Sequence, residues 1–169
     1  MGAPVEPERR ELIKLRAMAD YLFEGGAGKA LFPDGVRVIK SSGRIRQVWL
    51  EGVPLCAIRA SDGRIILNRR GAELLHSFLR PPRLRVVVSD EAAPLVGSGR
   101  TVFAGHVIGA DPEIRPGEEV LVVSARDGLL ASGTALLSGR EMSAFRHGVA
   151  VRVRRGYLKS GEEHASETH

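Results

Sequence analysis

The sequence predicts an α+β protein made of two small domains. In the first half, two segments with helical spacing of apolar residues, 6–23 and 69–79, flank four short strand-like segments. In the second half, residues 100–156 contain four short runs rich in valine and leucine, separated by turn residues, which is typical of a small β-barrel. Pro81 and Pro82 stand between the halves and mark the expected domain boundary.

Composition points to nucleic acid as the partner. The chain has 169 residues, with 25 Lys or Arg against 20 Asp or Glu, and all but four of the basic residues are arginines. The planar guanidinium of arginine binds a phosphate through two hydrogen bonds and stacks on bases, which the ammonium of lysine cannot do. The start of the chain lacks the apolar core of a signal peptide, and no stretch approaches the roughly 20 apolar residues of a membrane span. We therefore expect a cytoplasmic protein with no membrane partner.

The first domain is expected to begin with a helix over 6–23 that stops at Gly25–Gly26. The following GGAGKALF is not a phosphate-binding loop, because Phe23 replaces the first glycine of that motif and Ala30 replaces its hydroxyl residue. We interpret this segment as a connector. The runs VRVIK, RIRQVWLEG, VPLCAIR and RIILNR then predict a four-stranded antiparallel meander, with Cys56 buried in its third strand.

The first hairpin of this meander carries a cluster of basic residues. They are Arg37, Lys40, Arg44 and Arg46, on either side of the expected loop Ser41-Ser42-Gly43. The cluster is either a second RNA-binding patch or the solvated face of an antiparallel sheet. The sequence leaves both interpretations open.

The second domain is expected to open with the buried strand LRVVV and a short helix in EAAPLVGSG, capped by Asp90. Four strands follow: VFAGHVI, EVLVVSA, LLASGTALL and VAVRVRR. Asp127 and Gly128 suit a tight hairpin between the second and third of these. The alternation in the last strand predicts Arg152 and Arg154 on one face and the valines on the other, where two arginines can grip consecutive phosphates.

These segments resemble a PUA domain, the RNA-binding module at the C-terminus of pseudouridine synthases and archaeosine tRNA-guanine transglycosylases. The resemblance covers 83–158 and rests on the glycine-basic turn Gly99-Arg100, the strand entry RPGEEV, the step GTALLSGREM into a short helix, and the last strand HGVAVRVRRG. It implies a mixed β-barrel with short helices.

The first half, 1–80, is similar to the patch-forming domain that precedes the PUA domain in archaeosine tRNA-guanine transglycosylase. The similarity is carried by KLRAMADYLFEGGAGKALFPDGVRVIKSSGRIRQVWLEG and by the later SDG. The expected architecture is thus a small N-terminal α/β domain with an antiparallel sheet, followed by a PUA-type barrel. The polar, acidic tail 159–169 is expected to be disordered.

The PUA resemblance also implies which residues contact RNA, because RNA generally lies against the first helix, the glycine-basic turn with the second strand, and a strand near the end of such domains. Carried over to this sequence, the implied contacts are Gly99, Arg100, Thr101, Val102, Phe103, Arg152, Arg154 and Arg155. Phe103 is nevertheless expected to be a core residue rather than a stacking platform, since its neighbours are small and apolar.

No catalytic, metal or cofactor site is expected. The five histidines are scattered, with no adjacent thiolate, and the catalytic barrel of a transglycosylase alone needs about 250 residues. We therefore expect a non-catalytic protein that binds structured RNA, with tRNA foremost, as an accessory to a tRNA-modifying enzyme. Two alternatives stay open: a protein-interaction subunit of a split transglycosylase or archaeosine-forming complex, and a ribosome-associated factor that binds ribosomal RNA.

Overall fold

The computed structural model describes residues 2–158, which form two compact units divided between Leu79 and Arg80. The predicted disordered tail, 159–169, lies outside the described residues. Among the residues described, no helix combines the length and the apolarity that crossing a membrane requires.

The first unit contains three helices and one four-stranded sheet. Its elements are α1 (Arg9–Leu22), α2 (Ala27–Leu31), β1 (Arg37–Ser41), β2 (Arg44–Leu50), β3 (Val53–Ile58), β4 (Ile65–Leu67) and α3 (Arg69–Phe78). The strands pair antiparallel in the order β1-β2-β3-β4, which confirms the predicted meander. Helix α1 begins where Glu8 and Glu11 form a reciprocal capping box, and it buries Leu15 and Ala19. Cys56 is buried in β3, as expected.

The prediction of a plain connector after α1 is wrong, because α2 forms within it. The Asp20 carboxylate accepts hydrogen bonds from the backbone nitrogens of Gly26 and Gly28, at 3.1 and 2.7 Å. Gly28 also lets α2 approach α1 closely, since a Cβ at that position would lie 2.2 Å from the carbonyl oxygen of Arg16. The glycines therefore permit a short helix here rather than a loop.

The second unit is a mixed, nearly closed barrel-like sheet with short helices. Its elements are β5 (Arg85–Val88), α4 (Ala93–Gly97), β6 (Val102–Phe103), β7 (Val107–Ala110), β8 (Glu119–Val123), β9 (Leu129–Ala135), α5 (Gly139–Ala144) and β10 (Val149–Gly156). The strand order is β6-β10-β9-β8-β5-β7, and only the β5–β8 pair among these is parallel. The core packs the inward valines of β5, β8 and β10 around Ile114 and Met142.

Two details of this unit differ from the sequence prediction. The run VFAGHVI is not one strand, because a 3-10 turn at Ala104–His106 separates β6, which pairs with β10, from β7, which pairs with β5. One continuous strand could not reach both edges of the sheet, and the turn brings the edges towards each other. The predicted helix cap at Asp90 is also wrong: α4 starts after Ala92, whose nitrogen donates to the Ser89 hydroxyl at 3.3 Å.

Candidate nucleic-acid interface

The turn that joins α4 to β6 lies against the end of β10. Gly99 adopts a left-handed conformation, with φ +106°, and Arg100 follows it at the exposed surface. A Cβ on Gly156 would lie 2.3 Å from both the carbonyl oxygen of Gly97 and the nitrogen of Gly99. The nitrogen of Leu158 also donates to that Gly97 carbonyl oxygen, at 3.0 Å. Glycine at position 156 therefore allows the turn to rest directly on the backbone of β10.

Strand β6 continues this contact, because it pairs antiparallel with β10. Phe103 lies opposite Val149, and Val102 lies opposite Val151. The Val102 side chain is fully buried in the core, so it anchors β6 and is not available to RNA. Thr101 and Phe103, on either side of it, are exposed. The structure thus brings the predicted turn residues and the arginine-bearing strand onto one surface.

Phe103 is not the core residue that its neighbours suggested. Its relative exposure is 50%, because alternation along β6 directs Val102 inward and Phe103 outward. A groove of about 370 Å³ lies beside it, lined by Leu95 and Val96 of α4, by the segment 100–103 and by His106. Leu95 is itself 57% exposed. The predicted site therefore contains an accessible apolar face next to Arg100.

The three arginines of β10 are all exposed, but they are not equivalent. The register between β10 and β9 shifts between Val153 and Arg155, so a bulge breaks the strict alternation that was predicted. Arg154 forms a two-point ion pair with Glu119 of β8, with Nη1 3.0 Å from Oε1 and Nη2 closer still to Oε2. The charge of Arg154 is therefore compensated inside the protein, whereas Arg152 and Arg155 make no ion pair within residues 2–158.

A buried hydrogen bond fixes the chain just after these arginines. The hydroxyls of Tyr157 and Ser132 lie 2.5 Å apart, and Tyr157 is only 3% exposed. Burial raises the pKa of the Tyr157 phenol above its usual value, so the group stays neutral at physiological pH. This contact holds the end of β10 to β9 and stabilises the strand on which the arginines stand.

The residues of the second predicted patch have different surroundings. Lys40 is paired with Glu11, whose Oε2 lies 2.8 Å from Nζ, and this hydrogen bond holds the pKa of the Glu11 carboxyl below its usual value. Arg44 and Arg46 instead line a groove between α1 and β2, and Arg37 lies outside that groove. Lys40 is therefore compensated inside the protein, whereas Arg44 and Arg46 face a groove.

Several residues at these two grooves, or against the α4–β6 turn, were not predicted from the sequence. Leu95, Lys14 and Arg59 line the grooves, and Gly156 contacts the turn. Leu95 gave no local signal, because an exposed and a buried leucine look alike in a five-residue helix. The close approach of Gly156 could have been suspected from a glycine that ends a valine-rich strand. In the described part of the chain, no group of His, Cys, Asp and Glu is placed to hold a metal ion.

Comparison with known families assigns both halves of the chain. The PUA domain family matches residues 84–157, and the patch-forming domain C2 of tRNA-guanine transglycosylase matches residues 14–82. Residues 84–157 are therefore a PUA domain, and residues 14–82 before them are a patch-forming domain. More particularly, the chain resembles the C-terminal part of tRNA-guanine(15) transglycosylases, which confirms the resemblance predicted from the sequence.

Two such relatives come from archaea. The tRNA-guanine(15) transglycosylase of Pyrococcus abyssi is 49% identical over 153 residues, which is 89% of this chain and 26% of the relative. That of Thermococcus kodakarensis is 44% identical over 155 residues, which is 91% of this chain and 27% of the relative. The chain thus spans only about a quarter of the length of these relatives.

A solved structure shares the fold. A hypothetical protein from the hyperthermophilic archaeon Pyrococcus horikoshii superposes with a TM-score of 0.71 at 23% identity, and the alignment covers 94% of this chain and 98% of that one.

Proposed function

We propose that this chain binds structured RNA, with tRNA foremost, and presents it to a separate tRNA-modifying enzyme without catalysing a reaction itself. The observation that carries the proposal is the surface formed by the α4–β6 turn and β10. There, three cationic side chains without an acidic partner among the described residues, Arg100, Arg152 and Arg155, lie on the same PUA domain as the exposed ring of Phe103.

Each part of this surface suits a different part of RNA. Arg152 and Arg155 present guanidinium groups to phosphate oxygens, which they bind as two-point hydrogen-bonded pairs. Phe103 and Leu95 offer an apolar face to a ribose or an unstacked base. The exposed Gly99 and Thr101 allow close approach of the RNA backbone to the turn. Arg154, which is held by Glu119, contributes less, since an RNA phosphate must compete with that carboxylate.

Two observations support a tRNA and a separate enzyme as partners. The relatives are named as enzymes that act on tRNA, and the chain corresponds to their C-terminal quarter, with both a patch-forming and a PUA domain. The matched domains are a patch-forming domain and a PUA domain, and a PUA domain is an RNA-binding module. We infer that these residues supply RNA recognition to a tRNA-modifying enzyme.

Binding to tRNA is expected to weaken steeply as salt rises. Three arginine–phosphate contacts would give a slope of log affinity against log salt of about −2 to −3, from roughly 0.7–0.9 per contact. Filter binding of the full chain to bulk tRNA between about 50 and 200 mM salt measures this slope. An affinity that does not change with salt would contradict recognition through phosphates.

The chain by itself is expected to exchange no base in tRNA. Incubation of the purified protein with tRNA and radiolabelled guanine, or a labelled deazaguanine analogue, should leave the tRNA unlabelled, because no catalytic constellation is expected in this sequence. A tRNA-guanine transglycosylase assayed in parallel serves as the positive control. Label that enters tRNA in proportion to the amount of this chain, through successive purification steps, would show that the protein is an enzyme.

A further inference from the structure

We propose that the groove between α1 and β2 in the first unit, here called the α1–β2 groove, binds one unpaired nucleotide of an RNA strand. The base would lie against an apolar floor and the flanking phosphates against an arginine-rich rim. This inference rests on the proposed RNA-binding function, but it concerns a different site, in a different unit of the chain.

The α1–β2 groove has the size and the two-part lining that a nucleotide requires. Its volume is about 530 Å³, within the range of small-molecule sites. Leu15 and Met18 of α1, with Ile45 of β2 and Ile58 of β3, supply an apolar surface, and Leu15 is almost fully buried. The cationic lining residues are Lys14, Arg44, Arg46 and Arg59. A flat apolar group with a phosphate attached matches this combination.

The carboxylates near the groove are already neutralised. Glu11, the only acidic residue that lines it within the described chain, is ion-paired with Lys40 at 2.8 Å. Asp62 is held by Arg59, whose Nε and Nη2 donate to the two carboxylate oxygens at 2.9 and 2.5 Å. Lys14, Arg44 and Arg46 form no ion pair among the described residues. An anion that enters the groove therefore meets uncompensated positive charge.

A bulge in β2 explains how neighbouring residues line one groove. Lys40 of β1 pairs with Ile45 and Ile39 pairs with Gln47, so Arg46 has no partner across the strand pair. Regular alternation would direct Ile45 away from Arg44 and Arg46, and a bulge re-aims side chains at this point. As a result, Ile45 contributes apolar surface between two arginines.

An RNA nucleotide fits these features better than an acidic peptide does. Carboxylates on a peptide would match the arginines but would leave the floor of the groove without an apolar partner. A nucleotide satisfies both, since aromatic bases cover apolar surface while arginine forks phosphate. The occupant of the α1–β2 groove is therefore assigned as a nucleotide, and a peptide becomes an outcome of the test.

The test uses the isotope-labelled full chain and a single-stranded RNA hexanucleotide, followed by NMR. The amides of Met18, Ile45 and Gly63 report on the α1–β2 groove, and those of Thr101 and Phe103 report on the PUA surface. We expect the hexanucleotide to shift both sets, and an abasic oligonucleotide of equal length to bind the groove at least about fivefold more weakly, because the contact of the base with the apolar floor is lost. Equal affinity for the abasic strand, or for a hexaglutamate peptide, would overturn the nucleotide assignment.

Paired variants test the rim of the groove. Arg44→Ala combined with Arg46→Ala is expected to weaken binding of the hexanucleotide at the groove amides by about tenfold or more, since two phosphate contacts are lost. The control, Arg9→Ala with Arg70→Ala, removes the same charge from exposed positions of the same unit outside the groove, and it should change affinity by less than about twofold. Equal losses in both pairs would mean that only overall charge matters, and would overturn the site.

The NMR results distinguish a failure of the α1–β2 groove proposal from a failure of the proposed RNA-binding function. Shifts confined to Thr101 and Phe103 would overturn the α1–β2 groove and leave the proposed function standing. Shifts confined to the groove would support the groove and contradict the PUA surface. Adenosine 5′-monophosphate that binds the groove as tightly as the hexanucleotide would overturn an RNA strand as the source of the nucleotide.

Discussion

Replacing Arg152 and Arg155 of β10 with alanine is expected to weaken binding of tRNA by about tenfold or more, because two charge-assisted phosphate contacts of on the order of 1 kcal/mol each are lost. Both side chains are exposed and carry no ion pair within the described residues, so the fold should tolerate the change. Filter binding at one moderate salt concentration, together with the melting temperature of each protein, measures the effect.

Arg154→Ala is the matched control on the same strand. Its guanidinium is paired with Glu119, whose side chain is 9% exposed, so its removal leaves a largely buried carboxylate without that partner. We expect a loss of stability of about 1–3 kcal/mol and a smaller loss of RNA affinity than in the double variant. If Arg154→Ala instead weakened binding as much as the double change, at an unchanged melting temperature, Arg154 would have to leave Glu119 and join the RNA.

The sequence was informative wherever a local pattern dictated one structure. The valine-rich run EVLVVSA predicted a strand, and β8 forms there, paired with β9 through the predicted hairpin at Asp127. Helix α2 gave no such pattern. It depends on hydrogen bonds from the backbone nitrogens of Gly26 and Gly28 to the Asp20 carboxylate, and on the close approach of Gly28 to α1. These are contacts with another helix, so the five residues of α2 do not predict them.

The arginines of the candidate site were predicted from the sequence, but their ion pairing was not. The resemblance supplied Arg152, Arg154 and Arg155 as the basic edge of the barrel. The pairing of Arg154 with Glu119 was not predictable, because the two lie 35 positions apart and meet only through the order β8-β9-β10 and the bulge in β10. Likewise, the composition around Phe103 suggested a core position, and only the pairing of β6 at the sheet edge shows that the ring faces outward.

This contrast has a physical basis. Periodicity and turn residues record where a chain is buried and where it reverses, so they locate elements. Whether a particular arginine is available to a ligand depends on which carboxylate a neighbouring strand brings beside it, and this follows from register. In this protein the same rule separates Lys40, paired with Glu11, from Arg44 and Arg46, which line the α1–β2 groove. Charge counted along the sequence therefore overstates the number of basic side chains that have no acidic partner.

Gly156→Ala is expected to impair both the fold and RNA binding, because the added methyl group would lie 2.3 Å from two backbone atoms of the α4–β6 turn. Neither atom belongs to a flexible side chain, so the turn or the end of β10 must move. Overpacking of this kind costs about 1–3 kcal/mol, and displacement of the turn would separate Arg100 and Phe103 from the arginines of β10. Thermal unfolding and tRNA affinity, both at one salt concentration, measure the two effects.

Gly109→Ala in β7 serves as the control for that variant. A methyl group there meets its nearest neighbours, side-chain atoms of Val87, at 4.0 Å, which is ordinary contact, and φ at this glycine is not positive. We expect little change in stability and none in RNA affinity, because the added methyl group displaces no neighbouring atom. If Gly156→Ala loses RNA affinity at a temperature where it is still folded, the close approach at Gly156 is needed to keep the α4–β6 turn beside β10 for binding. Retention of full affinity by folded Gly156→Ala protein would show that the turn and β10 bind RNA independently of each other.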